Sequence, residues 1–305
     1  FMEGAAKAVQ EMGMRAVMGP VFIDLHDREM MEREIKKQER FFRFLGNMKS
    51  KRITGCVNPH AVYTVSKEGL EWCREFSERL NLPVHIHLSE TKRENEDFFK
   101  KTGRFPVDYL EDIGLLSERL IAAHCVWLSH GDIEKLAKYG VKVAYNPVSN
   151  MKLSVGRIMP YQHMLNSGVT VSLGTDGCAS NNNLDMFESM KFASIVQKYS
   201  VNETTAPAEE VFKLATENGA KTLGINAGVI EEGRLADIIL IDLKRPEMIP
   251  IHNLASNLVF SANGSCVDTT IVDGKILMEN RKVHGEEEIL ERAGEFARRL
   301  VEEER

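Results

Sequence analysis

Six short apolar, β-branched-rich runs, each followed by a helix-patterned stretch, constrain this chain more than any other feature. The runs are "RAVMGPVF" (15–22), "RITGCVNPH" (52–60), "PVHIHLSE" (83–90), "RLIAAHC" (119–125), "VKVAYNP" (141–147) and "VTVSLGTD" (169–176). Between them lie amphipathic segments such as "SKEGLEWCREFSERLN" and "SHGDIEKLAKYG", the latter ending on the glycine expected just past a helix. Such alternation predicts a parallel sheet with helical crossovers, either doubly wound or closed as a barrel. The polar residues separate the two. Four of the runs end in a chemically capable residue: His60, His87 with Glu90, His124 and Asp176. A barrel brings all strand C-termini to one face, which carries the active site; a doubly wound sheet concentrates chemistry at one switch point, usually with a glycine-rich phosphate loop, absent here. The expected fold is α/β, a TIM-type (β/α)8 barrel.

Beyond residue 227 the texture changes. "GVIEEGRLADIILIDLKRPEMIP" and "CVDTTIVDGKILMENRKV" are strand-rich with turn signals "EEGR" and "DGK". The expected organisation is a barrel over 1–227, part of a small β-sandwich over 228–285, and a C-terminal amphipathic helix over 286–305 with Ile289, Ala293, Phe296 and Leu300 on one packing face. A net charge of -6 argues against a nucleic-acid or membrane-surface partner, which asks for a basic face. Five scattered cysteines without a C-x-x-C give neither a disulfide framework nor a cysteine zinc site, which fits a cytoplasmic location. No apolar run reaches the roughly 18 residues of a transmembrane helix. The opening "FMEGAAKAVQEMGMRA" starts inside a helical pattern, which suggests preceding sequence.

Period-two alternation puts His85 and His87 on one face of their run and Val84, Ile86 and Leu88 on the other. A plain core strand does not turn two imidazoles inward and end in "SE". A divalent metal takes neutral imidazoles and carboxylates with one position open to water, and neighbouring groups must then move protons. His87, Glu90, His124 and Asp176 supply these parts. Each alone has a bland explanation: a lone strand-end histidine is more often structural, "TDG" is a turn, and Glu90 is a helix cap. Four at successive strand ends are hard to explain by packing. Cys125 and Cys178, beside His124 and Asp176, read as packing residues. Trp127 and the Met151–Leu153 segment fit a pocket lining and core packing equally well.

On "HIHLSET", "AAHCVWLS", "YNPVSNMKL" and "SLGTDGCASNNNLDMFESMK" the chain resembles the metal-dependent amidohydrolase superfamily, and within it the 5'-methylthioadenosine/S-adenosylhomocysteine deaminases. The resemblance runs from about residue 5 to about 285. It implies that the six runs are strands 3 to 8 of the barrel, and that one divalent metal, zinc or iron, is bound by His87 and Asp176. It further implies that Glu90 hands a proton to the purine ring nitrogen, that His124 orients the attacking water, and that Asp176 is also the base towards that water. His60, Ser180 and the asparagines after it would face the substrate, with Arg28 a loose match for a substrate-contacting arginine and Pro20 standing where another would fall. His85 then sits one layer deeper, as a satisfied interior histidine. The strand-1 H-x-H of the superfamily, two further ligands, is not in these residues.

The implied activity is deamination of an adenosine-like nucleoside to its inosine analogue and ammonia, on a small-molecule substrate. Two alternatives stay open: hydrolysis of another aminated or chlorinated ring such as a triazine, and a non-catalytic, metal-free domain. The oligomeric state is open too, a homo-oligomer included.

Overall fold

The computed structural model describes residues 1–303. The first run is split into β1 (Ala16–Met18) and β2 (Val21–Phe22), the second into β3 (Ile53–Gly55) and β4 (Asn58–Pro59). The other four are β5 (Val84–Leu88), β6 (Leu120–His124), β7 (Lys142–Tyr145) and β8 (Thr170–Leu173). The break between β1 and β2 has a local cause. Pro20 lacks an N–H, and a Cβ on Gly19 would lie 1.8 Å from the Cys56 carbonyl oxygen, so only glycine fits there.

All six runs are parallel. β1 pairs with β3, β2 with β4, and β5 to β8 form one sheet in sequence order. Bridges Val57–Val84 and Ala61–His87 join the second run to β5, giving the arc of a TIM-type barrel. Among the described residues no strand pairs with the outer edge of β1 or of β8. Helices 208–215 and 217–223 pack against β8, and the Asn218 side-chain amide donates to the Val171 carbonyl at 2.8 Å.

Alternation in β5 works as the pattern predicts. Val84, Ile86 and Leu88 are buried in the core shared with the crossover helices, while His85 and His87 turn towards the bore. The crossover helices start where a side chain satisfies an otherwise orphaned N–H: Asp27 caps 28–48, Ser66 caps 67–80, Thr91 caps 92–102 and Ser129 caps 130–138.

The region after the barrel is a four-stranded antiparallel sheet in the order β12-β11-β10-β9, made of β9 (Ile238–Ile241), β10 (Val267–Val272), β11 (Lys275–Glu279) and β12 (Lys282–Val283). Arg15, just before β1, clamps it: its guanidinium donates to Asp237 at 2.5 and 3.0 Å and to Asp273 at 3.3 Å. The helix at Leu254–Phe260 lies between β9 and β10 in sequence, yet it packs on barrel helices 186–200 and 208–215. The C-terminal helix starts at Glu286, as its pattern indicates. Its apolar stripe does not pack, however: Ile289, Phe296 and Leu300 are exposed, since no other described residue covers that face.

Candidate functional site

The ends of β5, β6 and β8 bring His87, His124 and Asp176 together, each offering one donor atom within 4.8 Å of the others. The backbone there is unusual. Ser89, His124, Cys125 and Asp176 have φ of 50°, 71°, 51° and 63°, left-handed values that cost L residues roughly 1–2 kcal/mol each. Strain of this kind persists where surrounding contacts over-determine it, and it clusters at functional sites.

Hydrogen bonds fix which imidazole nitrogens are free. His87 Nδ1 lies 2.8 Å from the His60 carbonyl oxygen. A carbonyl only accepts, so Nδ1 carries the proton and Nε2 keeps its lone pair for a metal. His124 Nδ1 lies 2.8 Å from Asn150 Oδ1, an acceptor as well, which leaves His124 Nε2 as its free nitrogen. His60 Nδ1 meets Thr64 Oγ1 at 2.8 Å, and the Thr64 hydroxyl donates on to the Ala61 carbonyl at 3.2 Å, so His60 presents Nε2 likewise. Burial and the neighbouring His87 lower the His60 pKa, favouring this neutral form.

Asp176 is held as a carboxylate. Burial alone would raise its pKa, but the Ser149 hydroxyl at 2.6 Å, the Gly177 N–H at 2.7 Å and the two imidazoles together bring it below the ordinary value. Glu90 Oε1 stands 3.7 Å from His124 Nδ1, which places this carboxyl at the edge of the cluster. A cavity of about 400 Å3 opens on the other side of Glu90, with Tyr63, Arg93, Glu94 and Phe98 among its walls; His87, His124 and Asp176 do not line it. The donor set of two neutral imidazoles and an ionised carboxylate fits a divalent cation.

His60 belongs to this group, its ring centroid 4.9 Å from that of His87, which in turn stacks at 5.3 Å on His124. Ser180 is half-buried in the short helix Cys178–Asn181, a few residues past Asp176. The structure does not bring in Arg28. It is the first residue of helix 28–48, 88% exposed and paired with Glu32 one turn on. Two other expectations change. His85 turns towards the bore, but its ring finds no hydrogen-bond partner among the described residues, so it is not satisfied there. Cys178 is exposed rather than packed, whereas Cys125 is buried with its thiol towards the Ala122 carbonyl. Met151 lines a cavity of about 210 Å3 with Tyr145, Asn150 and Met159, and Trp127 is half-buried with its indole N–H on the Val155 carbonyl at 2.7 Å.

His124 gains a possible ligand role that the two-ligand set left out. Sequence reasoning also missed the residues that hold the cluster from behind: Asn150 on His124, Ser149 on Asp176, and Glu94 on the turn before Glu90. The signal for the first two was present in "YNPVSNMKL", a segment between strand ends that is too polar for its burial.

The sequence matches the amidohydrolase family over residues 1–277, and the chain belongs to that family. It is 49% identical to a 5'-deoxyadenosine deaminase of Methanoregula boonei over 99% of its own length and 68% of the relative's. It is 47% identical to a 5-methylthioadenosine/S-adenosylhomocysteine deaminase of Archaeoglobus fulgidus, covering 99% of this chain and 72% of that one. Among solved structures it resembles an adenosine deaminase from Xanthomonas campestris with bound zinc, at 32% identity and a TM-score of 0.88, over 97% of this chain and 68% of that one.

Proposed function

We propose that this chain is a metal-dependent hydrolytic deaminase that converts an adenosine-like nucleoside to its inosine analogue and ammonia. The observation that carries the reading is the convergence of His87, His124 and Asp176 within 4.8 Å, with Glu90 at its edge. The deaminases among its relatives point to a purine nucleoside with a modified or missing 5' group, and the zinc in a solved neighbour points to zinc.

His87 Nε2 and Asp176 would hold the metal, with His124 available as a third donor. When bound, a divalent ion lowers the pKa of water and polarises the atom under attack. The chain's own groups do the rest. Asp176, two of whose lone pairs are engaged by Ser149 and Gly177, takes the proton released as water attacks the amine-bearing ring carbon. His124, oriented from behind by Asn150, has Nε2 as its one free nitrogen, which either completes the metal's donors or fixes that water. Glu90 delivers a proton to the adjacent ring nitrogen, so the ring accepts the electron pair without building up charge. The proton on Asp176 then passes to the departing amine, which leaves as ammonia as the C–N bond breaks, and the remaining hydroxyl proton returns to Glu90 as the carbonyl forms. His60 Nε2 faces the same space as an acceptor for a sugar hydroxyl.

The test is direct. Full-length protein loaded with zinc is incubated with 5'-deoxyadenosine or 5'-methylthioadenosine, and ammonia is measured together with the ultraviolet change from adenine to hypoxanthine. Ammonia in step with that change, lost on chelation, is the expected result. A metal-loaded protein that releases none contradicts the reading. Release of chloride or alkylamine from a triazine instead selects the other ring hydrolysis.

A further inference from the structure

We infer that Glu94, which lies outside the reacting cluster, is a positioning residue that fixes Glu90 by gripping the turn on which it stands. The inference rests on the deaminase reading above.

An acid at the third position of a helix ordinarily reaches back to the capping residue. Asp132 does so in the next βα unit: its Oδ2 accepts from the Ser129 N–H at 2.8 Å and from the Ser129 hydroxyl at 2.7 Å, at an exposed site. Glu94 occupies the same helical position after Thr91, whose hydroxyl accepts from the Glu94 N–H at 3.1 Å. Its side chain engages the backbone of that cap and, unlike Asp132, reaches on to the turn before it. Oε1 accepts from the Ser89 N–H at 2.9 Å and Oε2 from the Glu90 N–H at 2.8 Å.

Those two N–H groups belong to the turn that carries the chain from His87 to Glu90. Ser89 is buried with φ 50°, and its carbonyl accepts from the Val126 and Trp127 N–H groups at 3.1 and 2.8 Å. The turn after β5 is thereby tied to the turn after β6, where His124 stands. Without Glu94, neither N–H of the turn has a partner, and orphaned N–H groups in a buried turn are rare because they are costly.

The surroundings separate this role from helix capping. Glu94 is only 9% exposed, and burial pushes its carboxyl up to about 7 although backbone N–H groups pull it the other way. Capping the helix needs no such burial, as Asp132 demonstrates. Holding the turn does. Glu90 Oε1 must keep its 3.7 Å distance from His124 Nδ1 while aimed at the substrate space, and a 1 Å misplacement of such a group costs up to about 10²-fold in rate.

The test compares Glu94→Gln with Asp132→Asn in the full-length, zinc-loaded protein. The Gln amide is isosteric but accepts through one atom only, so its NH2 opposes one of the two N–H groups. For Glu94→Gln, kcat for ammonia release is expected to fall about 10- to 100-fold, with KM within about twofold and metal content unchanged. Asp132→Asn is expected to keep the wild-type kcat. A folded, metal-loaded Glu94→Gln protein with kcat within about twofold of wild type overturns the inference. Amide hydrogen exchange at Ser89 and Glu90 in the wild-type protein reads the grip without activity or mutation. Slow exchange of both supports it, and exchange as fast as an open loop overturns it even if that variant does not fold. A wild-type protein that protects both amides but releases no ammonia contradicts the deaminase reading alone.

Discussion

The two sheets of this molecule use the same residue types to different ends. In the barrel arc, Leu88 and Ile86 are buried beneath the crossover helices, and the opposite face of β5 is left to histidines. In the antiparallel sheet, Ile239 and Leu240 of β9 and Ile276 of β11 are about half exposed. The polar residues differ as much. The barrel's strand-end His87, His124 and Asp176 each have a partner behind them that fixes their orientation. The charged residues of the small sheet, Asp237 and Asp273, serve to anchor it to Arg15. Burial on one face and prepared hydrogen bonds at the strand ends let the barrel hold a strained site, whereas the small sheet is a clamp.

If that contrast is sound, the largest effects of substitution fall on the barrel face. Asp176→Ala should bring ammonia release down by at least about 10⁴-fold and also lose the metal, as read by elemental analysis, because it removes a base and a ligand at once. A variant that keeps its metal would return Asp176 to a role as base alone.

Leu88→Ala should destabilise by about 2–5 kcal/mol in denaturant unfolding, since the side chain is fully buried. Leu240→Ala, half exposed, should stay within about 0.5 kcal/mol. Equal losses at the two positions would erase the distinction between the sheets.

A smaller effect than that of Leu88→Ala concerns the clamp. The Arg15 hydrogen bond holds the Asp237 carboxyl below its ordinary value. A depressed carboxyl contributes stability above its unfolded pKa and loses it as pH falls through the lower folded value. Arg15→Gln should therefore cost about 1 kcal/mol near neutral pH, the pair being partly open to water, and the gap to wild type should close below about pH 4. Thermal unfolding between about pH 3 and 7 checks this, and a gap that widens in acid would assign the stabilisation to other groups.

How much of this was legible beforehand follows the same divide. Period-two alternation and the helix stops located β5 to β8, and chemically capable residues at strand ends identified His87, His124 and Asp176, because in a parallel barrel sequence position at a strand end is also spatial position. Of the Gly19–Pro20 interruption only the proline was visible; the approach of the Cys56 carbonyl, from the second run, was not. Glu94, Asn150 and Ser149 escaped because their partners are reached through left-handed turns, which local patterning does not encode. Arg28 opens its helix exposed and paired with Glu32, a contact that the sequence reading did not foresee. The amphipathic stripe of the C-terminal helix was read correctly as a stripe; what it packs against is a property of neighbours, and helical periodicity carries none of that information.

The measurement that bears most directly on the central claim is ammonia release from 5'-deoxyadenosine by the zinc-loaded, full-length protein and its Glu90→Gln variant, with metal content recorded for both. Turnover in the wild type, and a variant that keeps its metal but is slower by about 10²–10⁴-fold, is the result expected of a carboxyl that carries the ring proton. A metal-loaded Glu90→Gln protein that turns over at the wild-type rate would contradict it.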